Sequence, residues 1–113
     1  MSGAADAARD ALTGLTHIPW PGGVIDEAAL RAALHTDGYD VWKWSDPADA
    51  EYQPHHHDLD ECIWLLAGEM AFGALGQTVR LGPDDRLLLP KGTVHTARPG
   101  AGGATYLVGE RRR

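Results

Sequence analysis

The chemistry of this chain is concentrated in two short stretches, Pro54-His55-His56-His57-Asp58-Leu59-Asp60-Glu61 and Pro90-Lys91-Gly92-Thr93-Val94-His95. Together they offer His-x-His-x3-Glu and a further, distant histidine. Three imidazoles and one carboxylate are the donor types of a mononuclear metal site. On an extended strand residues i and i+2 project to the same side, so His55 and His57 converge while His56 turns away. Asp58-Leu59-Asp60 gives the chain room to turn and bring Glu61 back beside them. His95 follows the turn at Pro90-Lys91-Gly92 and arrives on a neighbouring strand. Such a set suits one divalent transition ion per chain (Fe, Mn, Ni or Zn) and leaves up to two positions of an octahedral ion open. Imidazole donors disfavour calcium, and the single cysteine, Cys62, excludes a thiolate site.

Each piece also has an ordinary reading. A triple histidine is equally a solvated polar loop, a lone Glu61 a surface charge, and a lone His95 a hydrogen-bonded structural histidine. The combination shifts the balance. Glu61 opens the apolar run Cys62-Ile63-Trp64-Leu65-Leu66, and an acid at the head of a buried strand needs a partner, for which a cation is suited.

The elements that must position these side chains follow from periodicity and breakers. Residues 4–13 are alanine-rich and read as a short helix ending at Gly14. Asp26 is placed to cap a second helix over residues 26–36, with Leu30 and Leu34 on its buried face and Gly38 as its terminator. From Tyr39 onward the chain reads as short strands, over 39–44, 61–66, 70–74, 78–81, 86–89, 93–98 and 104–108. Gly68, Gly76, Gly82-Pro83, Pro90-Lys91-Gly92 and a glycine-rich loop over 99–103 separate them. Strands this short, at this spacing, predict an all-β antiparallel sandwich or barrel with a short helical N-terminal segment.

Composition bounds the rest. A chain of 113 residues is one domain, divided here into an N-terminal helical and extended segment (1–38), a barrel (39–108) and a basic tail (109–113). The net charge of −6 argues against nucleic acid as a partner, since sequence-independent binding needs a basic face. No apolar run reaches the roughly 20 residues of a membrane span, and the first residues lack the layout of a signal peptide. A cytoplasmic setting fits the single cysteine.

The two histidine stretches resemble the cupins, small jelly-roll β-barrels. The first cupin motif, G-x5-H-x-H-x3,4-E-x6-G, is reproduced from His55 through His57 and Glu61 to Gly68. The second, G-x5-P-x-G-x2-H-x3-N, is matched by Pro90-x-Gly92-x2-His95, with Asp84 in place of its first glycine and Pro99 in place of its last asparagine. By that resemblance the metal ligands are His55, His57, Glu61 and His95. It implies a metal-dependent oxygenase, isomerase or lyase acting on a small oxygen-rich molecule. The alternatives are a non-catalytic binding or sensing module and a structural zinc site, because the fold alone does not fix the reaction.

For acid–base partners, Tyr52 and Tyr106 are the candidates. Tyr106 alternates with Leu107, and the sequence leaves open which of the two faces inward. Met70 and Phe72 are expected to line the pocket as an apolar wall. Arg80 and Arg98 read as outward charges, and Cys62, next to a ligand, points to the opposite face. On the strand beginning at Glu61, Trp64 and Leu66 also face outward. Something must cover them: the helix over 26–36, the strand bearing Trp42 and Trp44, or a second subunit. Four tryptophans in a chain this small favour a homodimer.

Overall fold

The computed structural model describes residues 16–18 and 26–112. The helix expected over residues 4–13 lies outside them. In chain order the elements are β1 (Thr16–Ile18), α1 (Glu27–Thr36), β2 (Asp40–Asp46), β3 (Tyr52–His55), β4 (Asp60–Ala74), β5 (Gln77–Leu81), β6 (Arg86–Leu89) and β7 (His95–Arg111). The architecture is the all-β one expected, with a single short helix among the described residues.

Helix α1 starts where its cap dictates. Asp26 is extended, and its carboxylate accepts from the Ala28 and Ala29 amides at 3.0 and 3.3 Å, satisfying two of the free donors of the first turn. The helix ends before Gly38, whose φ of +89° ends the right-handed path. Its apolar stripe is narrow. Leu30 and Leu34 are buried and pack with Tyr39, Cys62, Trp64 and Leu107 in a second, smaller core. Trp64, 7% exposed, is buried in this core with the Arg86 guanidinium 4.5 Å over its ring, and it donates its indole N–H to the Asp84 carbonyl at 2.9 Å.

All strand pairs are antiparallel, in the order β1-β6-β4-β7-β2, with β5 added to β4 and β3 added to β7. Two long strands hold the sheet together. The first half of β4 pairs β6 and its second half pairs β5, while β7 runs alongside β4 throughout. Likewise β7 pairs β3 near its start and β2 along its end. The two halves face each other across one main core that joins Ile63 and Leu65 to Met70, Phe72, Leu81, Leu87, Leu89, Ala104 and Tyr106.

The expected strands over 61–66 and 70–74 are one strand, and so are those over 93–98 and 104–108. The glycine-rich stretch 99–103 is paired strand, where a loop was expected. The reason is a mutual bend. The β4–β7 register shifts between Leu65 and Ala67 and again between Gly68 and Met70. Here two glycines abut, both with positive φ, and a Cβ on Gly68 would lie 2.2 Å from the Gly103 carbonyl oxygen. Only glycine permits that approach. The bulges also reverse parity. On β4 Ile63 and Leu65 point into the core, then Met70 and Phe72; on β7 His95 and Ala97 point in, then Ala104 and Tyr106.

Strand β7 does not end at Val108. It continues to Arg111, whose guanidinium lies over the Tyr39 ring, donates to the Asp37 carbonyl and reaches Asp60. Asp84, standing where the cupin motif has glycine, keeps a φ of +75°, and its amide donates to the Leu65 carbonyl at 2.7 Å. Aspartate is among the residues that tolerate this region, so the turn survives the replacement.

Candidate metal centre

The histidines converge because β3 pairs with the start of β7, with His55 directly opposite His95. Their ring centroids are 4.3 Å apart. His57 follows the end of β3, its ring 5.1 Å from that of His55 and 5.6 Å from that of His95. The loop before β7 is tied to this stretch: the Gly92 amide donates to the His57 carbonyl at 2.8 Å, and the Lys91 amide to Asp60 at 3.0 Å. His56 is exposed and lies outside the cluster.

Two rings are fixed by the backbone. Nδ1 of His55 lies 2.7 Å from the Gln53 carbonyl, and Nδ1 of His95 lies 2.9 Å from the Thr93 carbonyl. A carbonyl only accepts, so each Nδ1 carries the proton and each Nε2 presents its lone pair, the arrangement that orients metal-binding imidazoles. Burial pushes the His95 and His57 pKa values below the usual imidazole range, and His55 lowers both further. They are uncharged near neutrality, as ligands must be.

Glu61 enters on the first residues of β4, its carboxylate 3.6 Å from His57 Nε2 and 3.9 Å from His95 Nε2. Burial, and then the neighbouring Glu110, push its carboxyl up to about 7. The described residues thus hold two overlapping donor groups, His55–His57–His95 and His57–Glu61–Glu110. Within each, the donor atoms all lie within 4.8 Å of one another. The chemistry of the set fits a divalent transition ion: three imidazoles, that of His95 buried, beside a buried carboxyl that accepts no hydrogen bond among the described residues.

The cluster opens into a cavity of about 370 Å³, a size suited to a small molecule. Tyr52, Met70, Phe72 and Tyr106 all line it, so Tyr106 is the inward residue and Leu107 the one beneath the helix. Arg80 and Arg98 are exposed and do not line it; Arg98 pairs with Glu51 at 2.8 Å. Cys62 is fully buried on the opposite face, its thiol pushed up to about 12 by burial.

Sequence reasoning missed two acids. Glu110 was assigned to the tail. Asp46, at the end of β2, is 8% exposed and accepts three hydrogen bonds, from Tyr52 Oη (2.7 Å), Trp44 Nε1 (2.9 Å) and Tyr106 Oη (2.6 Å). Burial, then Asp46, push both phenols above their usual range, so both keep their protons at neutral pH. Beside the apolar wall of Met70 and Phe72, the two candidate tyrosines form a paired phenol–carboxylate network with Asp46. Asp46 was recognisable only as the acid that ends a tryptophan-rich strand.

The description AraC-like ligand binding domain matches residues 45–108, more than half of the chain. The chain belongs to that family. Over 50 residues this AraC-like domain is 46% identical to the uncharacterized protein YdbB of Bacillus subtilis (strain 168), a match covering 42% of the chain and 44% of that relative. It therefore spans less than half of the relative's length. Among solved structures it is similar to the DMSP lyase DddQ from Ruegeria pomeroyi DSS-3 (33% identity, TM-score 0.60), over 66% of this chain and 39% of that one. KdgF from Halomonas sp. aligns over 88% of this chain and 82% of its own, at 20% identity and a TM-score of 0.60. A cupin-2 domain containing protein from Shewanella frigidimarina NCIMB 400 aligns over 67% and 72%, at 21% identity and a TM-score of 0.58. The AraC-like domain thus has the cupin fold that its motifs imply. Among its described residues no helix is long and apolar enough to cross a membrane.

Proposed function

We propose that this AraC-like domain is a metal-dependent lyase or isomerase of a small oxygen-bearing molecule, with His55, His57, Glu61 and His95 holding one divalent ion. The observation that carries this reading is the Tyr52–Asp46–Tyr106 network lining the same cavity as the histidines. When bound, the metal supplies Lewis acidity that polarises a substrate oxygen and makes a neighbouring C–H more acidic.

The protein side of the step is a proton relay. A substrate proton moves to the Tyr106 oxygen as the phenol's own proton passes to Asp46 Oδ2, 2.6 Å away. The phenol stays neutral throughout, which its upward shift requires. Met70, Phe72 and Ile63 supply an apolar wall that limits water near the reacting bond. The similarity to a structure named as a lyase supports this class.

The test is a small-molecule turnover screen, with and without oxygen, on the metal-loaded protein and its Tyr106→Phe variant. The expected result is oxygen-independent turnover that falls by about 10²–10⁴-fold in Tyr106→Phe while metal content is unchanged. Equal turnover in the variant, or a strict oxygen requirement, counts against the relay. Saturable binding without turnover favours the second reading, a sensing module, to which the ligand-binding description of the family lends support. The size of the cavity beside the donors weighs against a purely structural zinc.

We also infer a homodimer. Trp64 does not argue for it, since it is buried within the chain under Arg86, but Trp42 and Trp44 are 50% and 53% exposed on β2, which ends the strand order. Light scattering should give a dimer mass that Trp42→Glu reduces to that of a monomer; a monomeric wild type rejects the inference. A cytoplasmic setting is supported by Cys62, buried and unpaired.

A further inference from the structure

Glu110 is the cavity residue that the relay and the expected ligand set leave unused. It sits on β7 directly opposite Glu61 of β4, and β7's even parity beyond the bulge turns it inward. Two carboxylates facing each other across an antiparallel ladder repel, and a partly desolvated site strengthens that repulsion. Among the described residues no lysine or arginine offsets it within the cavity. The adjacent Arg111 is turned to the other side, toward Asp37, Asp60 and Tyr39.

Glu61 itself is the second indication. Its side chain is only 8% exposed and makes no hydrogen bond among the described residues, and its nearest basic neighbours are the Nε2 atoms of His57 and His95. A buried carboxylate in that state is arranged for a ligand that the protein does not supply. An ion with bonds of about 2.1 Å sets adjacent donors roughly 3 Å and opposite donors roughly 4 Å apart. In both donor groups the ligand atoms lie within 4.8 Å of one another, within a small movement of that spacing, and the groups share His57.

We propose that Glu110 is a fifth protein ligand, so that this chain holds its ion with three imidazoles and two carboxylates. The inference rests on the metal-binding reading above and deepens it. Sharing His57 makes one ion, not two, the natural occupancy. Two carboxylates balance the charge of a divalent cation and harden the donor set, which favours manganese or iron(II) relative to zinc. One position of an octahedral ion then remains for a substrate oxygen.

The experiment compares metal-free wild type, Glu110→Gln and the exposed-residue control His56→Gln by calorimetric titration with Mn(II) and with Zn(II), and by thermal melting. The expected result is Mn(II) affinity about tenfold or more weaker in Glu110→Gln, a smaller loss for Zn(II), and a higher melting temperature for the metal-free variant. His56→Gln should match wild type throughout. Equal affinities in Glu110→Gln and wild type overturn the proposal, as do equal losses for both metals or two ions per wild-type chain. Wild type that binds neither metal overturns the metal-binding reading itself. Binding that is tight and unaffected by Glu110→Gln overturns only the fifth ligand.

Discussion

Replacing His57 with alanine should empty the metal site. His57 is the one residue common to both donor groups, so its loss leaves His55 and His95 on one side and two mutually repelling carboxylates on the other. Among the described residues only the 3.9 Å approach of Glu61 to His95 Nε2 then links the two sides. Elemental analysis of protein prepared without an affinity tag should find close to one transition ion per wild-type chain and only traces in His57→Ala. The corresponding change at His56, whose side chain is exposed, should leave the content unchanged. The fold should persist in His57→Ala, because that side chain is 37% exposed and contributes little to the core. Equal metal content in wild type and His57→Ala would refute the ligand set.

The second large effect is a reversal of sign in the stability of Glu61→Gln. In the metal-free protein the Glu61 carboxyl is pushed up to about 7 by burial and by Glu110, against an ordinary value of 4.5. Between those values the folded state holds a proton that the unfolded chain has released. Stability from this group is therefore present at low pH and is lost as pH rises from about 4.5 through about 7. The full loss is on the order of 3 kcal/mol, or roughly 10 °C in melting temperature for a chain of this size. Metal-free Glu61→Gln, which has no proton to lose, should match wild type near pH 4 and exceed it by about that margin near pH 8. His57 and His95 act in the opposite direction at lower pH: their depressed values let the unfolded chain bind protons that the folded rings refuse, so stability falls as pH drops below about 6.5. That contribution is common to both proteins. Adding metal should invert the comparison near pH 8, since the ion binds the ionised carboxylate and converts its cost into binding energy. Parallel melting curves at both pH values, with and without metal, would show that Glu61 does not face the ion.

Much of the site was legible because it depends on local spacing. The i, i+2 relation of His55 and His57 brings their rings together, and the outward turn of His56 follows from the same alternation. The helix was equally readable, since Asp26, Leu30, Leu34 and Gly38 each act within one or two turns of the chain. The resemblance to cupins, carried by His55-x-His57-x3-Glu61 and Pro90-x-Gly92-x2-His95, extended that reading to the fold class and to the arrival of His95.

What local spacing could not convey is where alternation changes phase. The sequence by itself determined which residue types alternate, which turns glycine and proline enforce, and which four side chains are candidates to meet. Whether Tyr106 or Leu107 faces the cavity, whether Glu110 belongs to it, and that Asp46 gathers Tyr52, Tyr106 and Trp44 were decided only by the tertiary structure. The physical reason is the bend at Gly68 and Gly103, where two backbones approach more closely than any Cβ allows. Each strand slips register there, and inward parity switches from odd to even. A slip of one residue exchanges the faces of everything beyond it. It is set by contact between segments far apart in the chain, so no window along either strand contains it.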